Sequence, residues 1–431
     1  MVQTNLRSRK RRLSFAAVAV AVLLVLAATL LPGNAIELGQ APPRWCLACG
    51  GLWVMDAVSN VLLFAPLGAA LARLRVRWPW ALLMGAALSL TVETLQSLGI
   101  PPGRSAALAD VVANTAGTAV GLLAVRWGPA LVMAEGRAAV WLTAAWLAMV
   151  AGVITITTLA LGPRRADPEP DPDRFHISRF EYSPGLGWYD GEPRQAVVNG
   201  HMFPHRGTGP VVIAVPAEPS SLTVEGTVLG RDTATNTRSF VYVHREDDTL
   251  AVAMLAQKGD DAVFSSTRRA WLWGLAMPGA RLRGVFAGRT PDDPRPLRLI
   301  GHSDRTQLML TEPVTGTTNV VRLEPTMGWA MIQTLVNVHH PLAPAVLTAW
   351  LLTLFLPLGW WGTRSGRHAP WVLGGVTIAV LALFPALQAL SGVASLPALQ
   401  WSVIGLSIAL GVLIDLATQR SPEGQRSTIR A

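Results

Sequence analysis

The sequence predicts a polytopic α-helical membrane protein, with about eight transmembrane helices and an inserted extracytoplasmic all-β sandwich domain. The chain has 431 residues, of which 51% are hydrophobic and only 15% are charged, and this is too apolar for an ordinary soluble protein of that length. The apolar residues are concentrated in long uncharged runs, each able to cross a bilayer at ~1.5 Å per residue. One central segment, residues 163–328, interrupts these runs with regularly spaced charges, prolines and glycines.

The N-terminus carries a basic segment, Arg7–Arg12, directly before the first apolar run, Phe15–Leu31. A secretory signal peptide has the same layout, and cleavage near Gly33–Ala35 would suit it. We favour a retained helix, because the arginines of the later loops alternate between the two sides only if this run is counted as a crossing. Residues 1–14 are therefore predicted to form a cytoplasmic N-terminus.

Seven further apolar runs follow. Four of them complete a five-helix bundle over residues 15–161, and three closing helices occupy residues 342–416, before a cytoplasmic tail at residues 417–431. Cytoplasmic loops of membrane proteins are enriched in arginine and lysine, which places both termini inside the cell and the β-domain outside. We expect a bacterial cytoplasmic (inner) membrane protein whose first partner is the lipid bilayer. The predicted spans are Trp53–Leu71, Trp80–Leu98, Leu108–Val125, Ala138–Leu161, Leu342–Trp361, Trp371–Leu390 and Leu396–Leu416.

The central segment alternates polar and apolar residues over short stretches. Thr223–Leu229, Ser239–Val243 and Leu250–Leu255 are examples, and Pro/Gly turns separate such stretches. Period-two alternation with frequent turns is typical of antiparallel β-sandwiches.

The formal net charge is +9, almost all of it from arginine. These arginines lie at the ends of apolar runs, which indicates membrane topology and argues against nucleic-acid binding. The sequence contains no Walker loop, Rossmann glycine fingerprint or GxSxG motif, which argues against ATP-driven and serine-hydrolase functions. We expect no cofactor and no metal site.

Polar side chains recur at helical spacing where the second, third and fourth spans reach the outer leaflet. On the third span, Ser89, Glu93 and Gln96 share one face at i, i+4 and i+7. Asparagines or acids four residues apart mark the facing ends of the other two spans, and an arginine lies in the turn. The predicted topology brings seven side chains to one depth: Asp56, Asn60, Glu93, Gln96, Arg104, Asp110 and Asn114.

A carboxylate at membrane depth is costly unless it is paired, protonated or facing a wet cavity. We therefore predict a site in which Glu93 or Asp110 is the catalytic acid or base, if a reaction occurs, since a partly buried carboxyl group can have a raised pKa. Arg104 would bind a phosphate or carboxylate. The remaining binding residues would be Asp56, Asn60, Gln96 and Asn114.

A structural role is the alternative. The amides would join helices by hydrogen bonds, and Arg104 would neutralise Glu93 or Asp110. Gly117 and Gly121 would allow close helix packing.

These motifs carry a resemblance. Asn60–Gly68 (NVLLFAPLG), the ExxQ of Glu93 and the R-x5-D-x3-N-x2-G-x3-G pattern starting at Arg104 resemble the VanZ-like family of bacterial membrane proteins over about residues 10–130. Ala107 stands where that family often has a second acid. The resemblance implies a cell-envelope protein, and the family's namesake is linked with low-level resistance to the glycopeptide teicoplanin. The implied ligand is a lipid-linked envelope precursor, another amphiphile or a lipoglycopeptide, and the family has no agreed reaction.

The β-domain resembles the concanavalin A-like or laminin-G-like jelly rolls more weakly, in Ser239–Val243, Asp247–Asp248 and Leu250–Leu255. This resemblance implies a module that binds glycan or cell-wall polymer, with the helices as its anchor. It supports a second hypothesis, a non-catalytic binding or scaffolding protein.

Two smaller features remain. Cys46 and Cys49 form a single CxxC, which fits either a local disulfide or two free thiols. Asp415, near the inner end of the last span, is expected to reach water.

Overall fold

The computed structural model describes residues 2–30, 45–47, 52–102, 104–163, 174–177, 182–183, 187–203, 211–214, 221–233, 237–245, 251–333 and 336–419. The chain divides into two compact units. The first comprises Met1–Trp146, Pro357–Leu373 and Leu410–Ala431, and the second comprises Leu147–Leu356 and Gly374–Ala409.

A helix of at least 20 residues coincides with each of the predicted spans. In the described part of the chain, seven of these eight helices are long and apolar enough to cross a membrane. The exception is the helix Trp78–Ser97 (α3), which is not among these seven. The predicted class, a helical membrane protein with a β-rich region, is confirmed, while the eighth crossing stays a prediction. The helices are α1 Val2–Thr29, α2 Trp53–Arg73, α3 Trp78–Ser97, α4 Leu108–Val132, α5 Arg137–Ala160, α6 Ala343–Arg364, α7 Ala369–Ser391 and α8 Ala398–Gln419.

The core of the first unit lies between α1, α2, α3 and α4, where apolar side chains from each helix are buried against the others. The buried members are Ala21, Val25, Phe64, Leu67, Leu71, Ala81 and Leu122.

Helices α2 and α4 pack backbone to backbone. A Cβ atom at Gly121 would overlap the carbonyl oxygen of Ala65, and one at Gly117 would overlap that of Val61. The prediction that these two glycines allow close helix packing is confirmed. Such contact fixes the register of α2 and α4, and with it the relative position of the polar residues that they carry.

The second unit contains most of the strands. In the described residues β13-β12-β11-β10-β3-β8 form one six-stranded sheet and β16-β15-β14-β9-β6-β7 form another, with antiparallel pairing throughout. The strands are β3 Arg174–Ile177, β4 Tyr182–Ser183, β5 Gly187–Trp188, β6 Glu192–Val198, β7 His201–Phe203, β8 Val211–Ala214, β9 Ser221–Leu229, β10 Thr237–Arg245, β11 Ala251–Lys258, β12 Asp261–Ser266, β13 Ala280–Leu282, β14 Leu297–Asp304, β15 Gln307–Glu312 and β16 Thr317–Arg322. Two short strands of the first unit precede them, β1 Trp45–Cys46 and β2 Ala106–Ala107.

The two large sheets contact each other through side chains. Gly301 of β14 lies against the ring of Phe264 on β12, and Gly226 of β9 lies against Phe240 and Val241 of β10. Glycine at these two positions leaves room for the facing side chains, because a Cβ atom there would overlap or crowd them. Burial alternates along β9, as the sequence pattern predicts, and it also alternates along β14.

Arg268 joins α5 to the β-rich region within the second unit. Its buried guanidinium donates to the Ser303 hydroxyl at 2.6 Å and to the Asp304 carbonyl at 2.9 Å, and it lies 3.5 Å from the carbonyl oxygen of Leu161 at the end of α5. One side chain thereby satisfies an unpaired helix-terminal carbonyl and holds a strand end beside it.

Candidate functional site

Helices α2, α3 and α4 bring the predicted site residues together in the first unit. The Asn60 side chain of α2 donates a hydrogen bond to the Asp110 carboxyl group of α4. The Arg104 guanidinium lies within electrostatic range of three carboxyl groups, those of Asp56, Glu93 and Asp110. Three acids and one cation therefore share a single polar cluster, as the helical spacing predicts.

Glu93 is buried, with 2% of its surface exposed, and its carboxyl group contacts the backbone at the start of α4. Its Oε2 accepts a hydrogen bond of 2.8 Å from the backbone N–H of Ala107, the residue that caps α4. A carboxylate at this position is favoured by the partial positive charge of the helix N-terminus. Glu93 thus accepts a hydrogen bond from the N–H of Ala107, at the N-terminus of α4, where the capping residue makes no side-chain hydrogen bond to the helix.

The same segment is tied to the part of the chain between α1 and α2. Strands β1 and β2 pair in parallel, with Cys46 opposite Ala107, and the Ala109 N–H donates to the Leu47 carbonyl at 2.9 Å. Cys46 is disulfide-bonded, and Cys49 lies outside the described residues. Residues 45–47, which include the first cysteine of the CxxC motif, are therefore held beside the segment that Glu93 contacts.

Asn114 is the second buried member, at 2% exposure. Its Nδ2 donates to the Ser89 hydroxyl at 2.8 Å, and its backbone carbonyl accepts from Thr118 at 3.1 Å. Its Oδ1 is fully buried and has no hydrogen-bond partner within the part of the chain that the structure describes. An unsatisfied buried acceptor costs about 1–3 kcal/mol, so this oxygen is an available acceptor for a donor group of a ligand or for water.

Gln96 and Arg104 contact the C-terminal end of α1. Gln96 Nε2 donates to the Thr29 carbonyl and an Arg104 amino group donates to the Ala28 carbonyl, each at 3.3 Å. Carbonyl groups in the last turn of a helix have no partner within the helix. These two predicted binding residues therefore also hold α1 in place, as the structural alternative requires of polar residues between helices.

Exposure divides the cluster into two layers. Asp56, Asn60, Arg104 and Asp110 are partly exposed and form what we call the open layer. Glu93, Gln96 and Asn114 are buried behind them and form the buried layer. The open layer offers two carboxyl groups, an amide and a guanidinium to a ligand, a set suited to charged hydrogen bonding and to proton transfer.

Sequence reasoning missed five partners of this cluster. Ser89 was visible in the polar stripe of α3 but was not assigned to the site, and Thr118 lies one helical turn beyond Asn114. The other three are backbone groups, which no sequence pattern reveals: the Ala107 N–H, the Thr29 carbonyl and the Ala28 carbonyl.

The remaining candidate positions give a mixed result. Gly33–Ala35 and Asp247–Asp248 lie outside the described residues. The two strands that precede and follow Asp247–Asp248 in the sequence are present as the antiparallel pair β10 and β11. In the described residues there is no group of three or more His, Cys, Asp or Glu side chains placed to hold a metal ion.

The expectation that Asp415 reaches water is wrong. Asp415 is fully buried, and its Oδ1 accepts a 2.7 Å hydrogen bond from Arg364 Nε within the first unit. The Arg364 guanidinium also lies 3.5 Å from the Glu135 carboxylate and 4.6 Å from the ring centre of Trp360. A buried acid requires such a cation, because an unpaired charge is costly away from water.

Comparison with known proteins identifies one relationship. A model of the VanZ/LLP1 family matches residues 6–131. The match contains α2, α3, most of α1, nearly all of α4 and all seven candidate residues, but it covers under a third of the chain. No curated protein and no solved structure matches the chain.

Proposed function

We propose that this chain is a VanZ-like integral membrane protein of the bacterial cell envelope that engages an amphiphilic ligand at the polar cluster of α2, α3 and α4. The ligand would be a lipid-linked envelope substrate or a glycopeptide antibiotic with a lipid tail. The observation that carries this proposal is the convergence of Asp56, Glu93 and Asp110 around Arg104 in one polar cluster. The family match over residues 6–131 supports the membrane and envelope assignment.

The two layers suggest a division of roles. In the open layer, Arg104 would bind a phosphate or carboxylate of the ligand, since a guanidinium suits planar bidentate contacts. Asp110, oriented by Asn60, would be the acid or base of any reaction. Glu93 would act as a positioning residue through Ala107, and the Asn114 Oδ1 would accept a hydrogen bond from the ligand or from a bound water.

The arginine distribution supports the orientation. With the Arg-rich loops in the cytoplasm, both termini lie inside, and the β-domain and the polar cluster lie at the outer side of the inner membrane. In this arrangement an antibiotic or an exported precursor reaches the cluster from the outer leaflet.

The test is complementation of a strain that lacks the protein, scored as survival under teicoplanin and envelope stress. We expect Asp110→Asn and Arg104→Gln to abolish complementation at unchanged membrane levels, and Glu135→Gln, an exposed acid of the same unit, to have no effect. Glu93→Gln retains an acceptor for the Ala107 N–H, so its loss of function would indicate chemistry that needs the carboxylate. Full activity of both Asp110→Asn and Arg104→Gln would exclude the cluster as the functional site.

The second candidate is a non-catalytic protein that binds glycan or cell-wall polymer through the β-domain. This hypothesis is favoured by the two contacting six-stranded sheets, which lie outside the family-matched segment. Helices alone can anchor a protein in a membrane, so a β-domain of this size suggests a separate binding role. We interpret these sheets as a jelly-roll-like sandwich. On this hypothesis, deletion of residues 174–324 abolishes complementation while Asp110→Asn is tolerated.

A further inference from the structure

A cavity of 330 Å³ lies in the second unit, where β16 ends and the chain turns back toward α6. This volume is within the range of small-ligand sites. Neither the polar cluster nor the family-matched segment contributes to it. Its lining includes Arg322, Glu324, Thr326, Trp329, Leu347 and Gln400.

The cavity is at the level where two apolar helices begin. Leu347 lies in the second turn of α6, and Gln400 lies in the first turn of α8. Both helices are long and apolar enough to cross a membrane. A cavity lined by the first turns of such helices is placed at the boundary between water and lipid, where lipid headgroups lie.

An ion pair and two hydrogen bonds hold the polar side chains of the cavity in position. Glu324 is buried, and its Oε1 lies 3.1 Å from Arg322 Nε. Its Oε2 accepts a hydrogen bond from Gln400, whose Oε1 in turn accepts one from the Thr326 hydroxyl. Arg322 is half exposed at the mouth, and it engages only Glu324 and the Ser395 carbonyl among the described residues, so most of its five N–H donors remain for a ligand.

We propose that this cavity binds the phosphoethanolamine headgroup of a phospholipid. The lipid ammonium would donate to the buried Glu324 carboxylate, the phosphate would accept from Arg322 at the mouth, and an acyl chain would lie along Leu347. The two protein charges are adjacent and opposite, as are those of the headgroup.

The protonation behaviour of Glu324 supports this geometry. Burial raises the pKa of Glu324 above its ordinary value, although Gln400 and Arg322 act in the opposite direction. Burial therefore outweighs the contributions of Gln400 and Arg322 to the stability of the carboxylate, and a ligand ammonium would add to those contributions. An ammonium also donates hydrogen bonds that a trimethylated choline group lacks, so ethanolamine is preferred over choline.

Lipid binding is tested on the full chain, purified, delipidated and examined by native mass spectrometry. It is titrated with phosphatidylethanolamine, phosphatidylcholine and phosphatidylglycerol of identical acyl chains. We expect ethanolamine lipid to bind at least about tenfold more tightly than the other two, as the loss of one charge-assisted hydrogen bond implies. Equal binding of the three lipids overturns the proposal.

Variants locate the site. Arg322→Gln and Glu324→Gln should each remove the preference, and Leu347→Trp should block binding by filling the cavity without changing charge. Arg298→Gln is the matched control, because the Arg298 and Arg322 side chains are 52% and 53% exposed and each pairs with one glutamate. A preference that survives both Arg322→Gln and Glu324→Gln, or that Arg298→Gln removes equally, overturns the proposal.

Soluble phosphoethanolamine distinguishes the two sources of this headgroup. Displacement of the bound lipid at millimolar concentration shows that the headgroup alone is recognised. Retention of the lipid, with the preference still dependent on Arg322 and Glu324, shows that the acyl chain contributes and that the membrane lipid is the ligand.

Discussion

Glu93 and Asp110 carry the same functional group in very different surroundings. Glu93 is buried and accepts from the Ala107 N–H, whereas Asp110 is partly exposed and accepts from Asn60. The sequence predicted that both would reach one depth, because their spacing and the helix directions are visible in it. It did not predict which of the two would be accessible, since accessibility depends on the β2 segment folding over Glu93.

Substitutions at Glu93 should separate its structural role from any chemical role. Glu93→Gln keeps a carbonyl oxygen for the Ala107 N–H and should leave stability nearly unchanged. Glu93→Ala leaves that N–H without its partner and should lower the free energy of unfolding by about 1–3 kcal/mol. Thermal denaturation of the detergent-solubilised protein measures both. Equal destabilisation by Gln and Ala would show that the 2.8 Å contact contributes nothing.

His339 should make the second unit sensitive to mild acid. Burial lowers the pKa of His339 below its ordinary value of 6.5, and Arg281 and Arg283 lower it further, although a hydrogen bond to the Gly279 carbonyl acts against them. Between pH 6.5 and the lower pKa of the folded state, His339 is therefore protonated in the unfolded chain but neutral in the folded protein. The free energy of unfolding decreases as the pH falls through this range.

His339→Gln removes this proton linkage and retains a side-chain donor for Gly279. The variant should lose less stability than the wild type between pH 7 and pH 5, measured as the shift in Tm. Comparison at pH 8, where the imidazole is neutral in both states, corrects for any effect of the substitution itself. Parallel Tm curves for the two proteins across this range would exclude the linkage.

At the scale of elements, the sequence predicted the helices well because long apolar runs and flanking arginines are continuous signals. It also predicted the alternation of β9 and the β10–β11 pair. The two-residue strands β1 and β2 had no periodicity to detect. The Arg364–Asp415 pair was missed for another reason, since its members are 51 residues apart and each alone resembles an ordinary helix-end charge.

The contact between α2 and α4 should tolerate no added side chain. Gly121→Ala places a Cβ against the Ala65 carbonyl, which should cost about 1–3 kcal/mol through overpacking. Gly128→Ala on the same helix meets no atom within 4 Å and is the matched control. Thermal stability and the yield of monodisperse protein report the difference. A Gly121→Ala protein as stable as Gly128→Ala would show that the two helices separate freely.

Helices α6 and α8 should depend on their buried ion pair. Arg364→Met leaves the fully buried Asp415 uncompensated and should destabilise the protein by about 3–5 kcal/mol. The double variant Arg364→Met, Asp415→Leu removes both charges and should recover most of that loss, because well-packed apolar residues can replace a buried pair. Urea or thermal unfolding of the three proteins provides the comparison. A double variant no more stable than Arg364→Met would show that the arginine acts through its other contacts.

At the scale of the whole molecule, the sequence predicted the class from composition alone, but the sidedness rests on charge placement and needs a direct test. From the arginines around α6 we propose that its C-terminal end lies in the cytoplasm and that the β-domain lies outside. In a Cys46→Ser, Cys49→Ser background, Val314→Cys, at an 86% exposed site between β15 and β16, should react with a membrane-impermeant maleimide in intact spheroplasts. Arg367→Cys, an exposed site just after α6, should react only after permeabilisation.

The opposite labelling pattern would mean that the topology is the reverse of the proposed one. The polar cluster would then lie at the inner leaflet, where an extracellular antibiotic cannot reach it. Equal labelling of both sites in intact cells would mean that α6 does not cross the membrane.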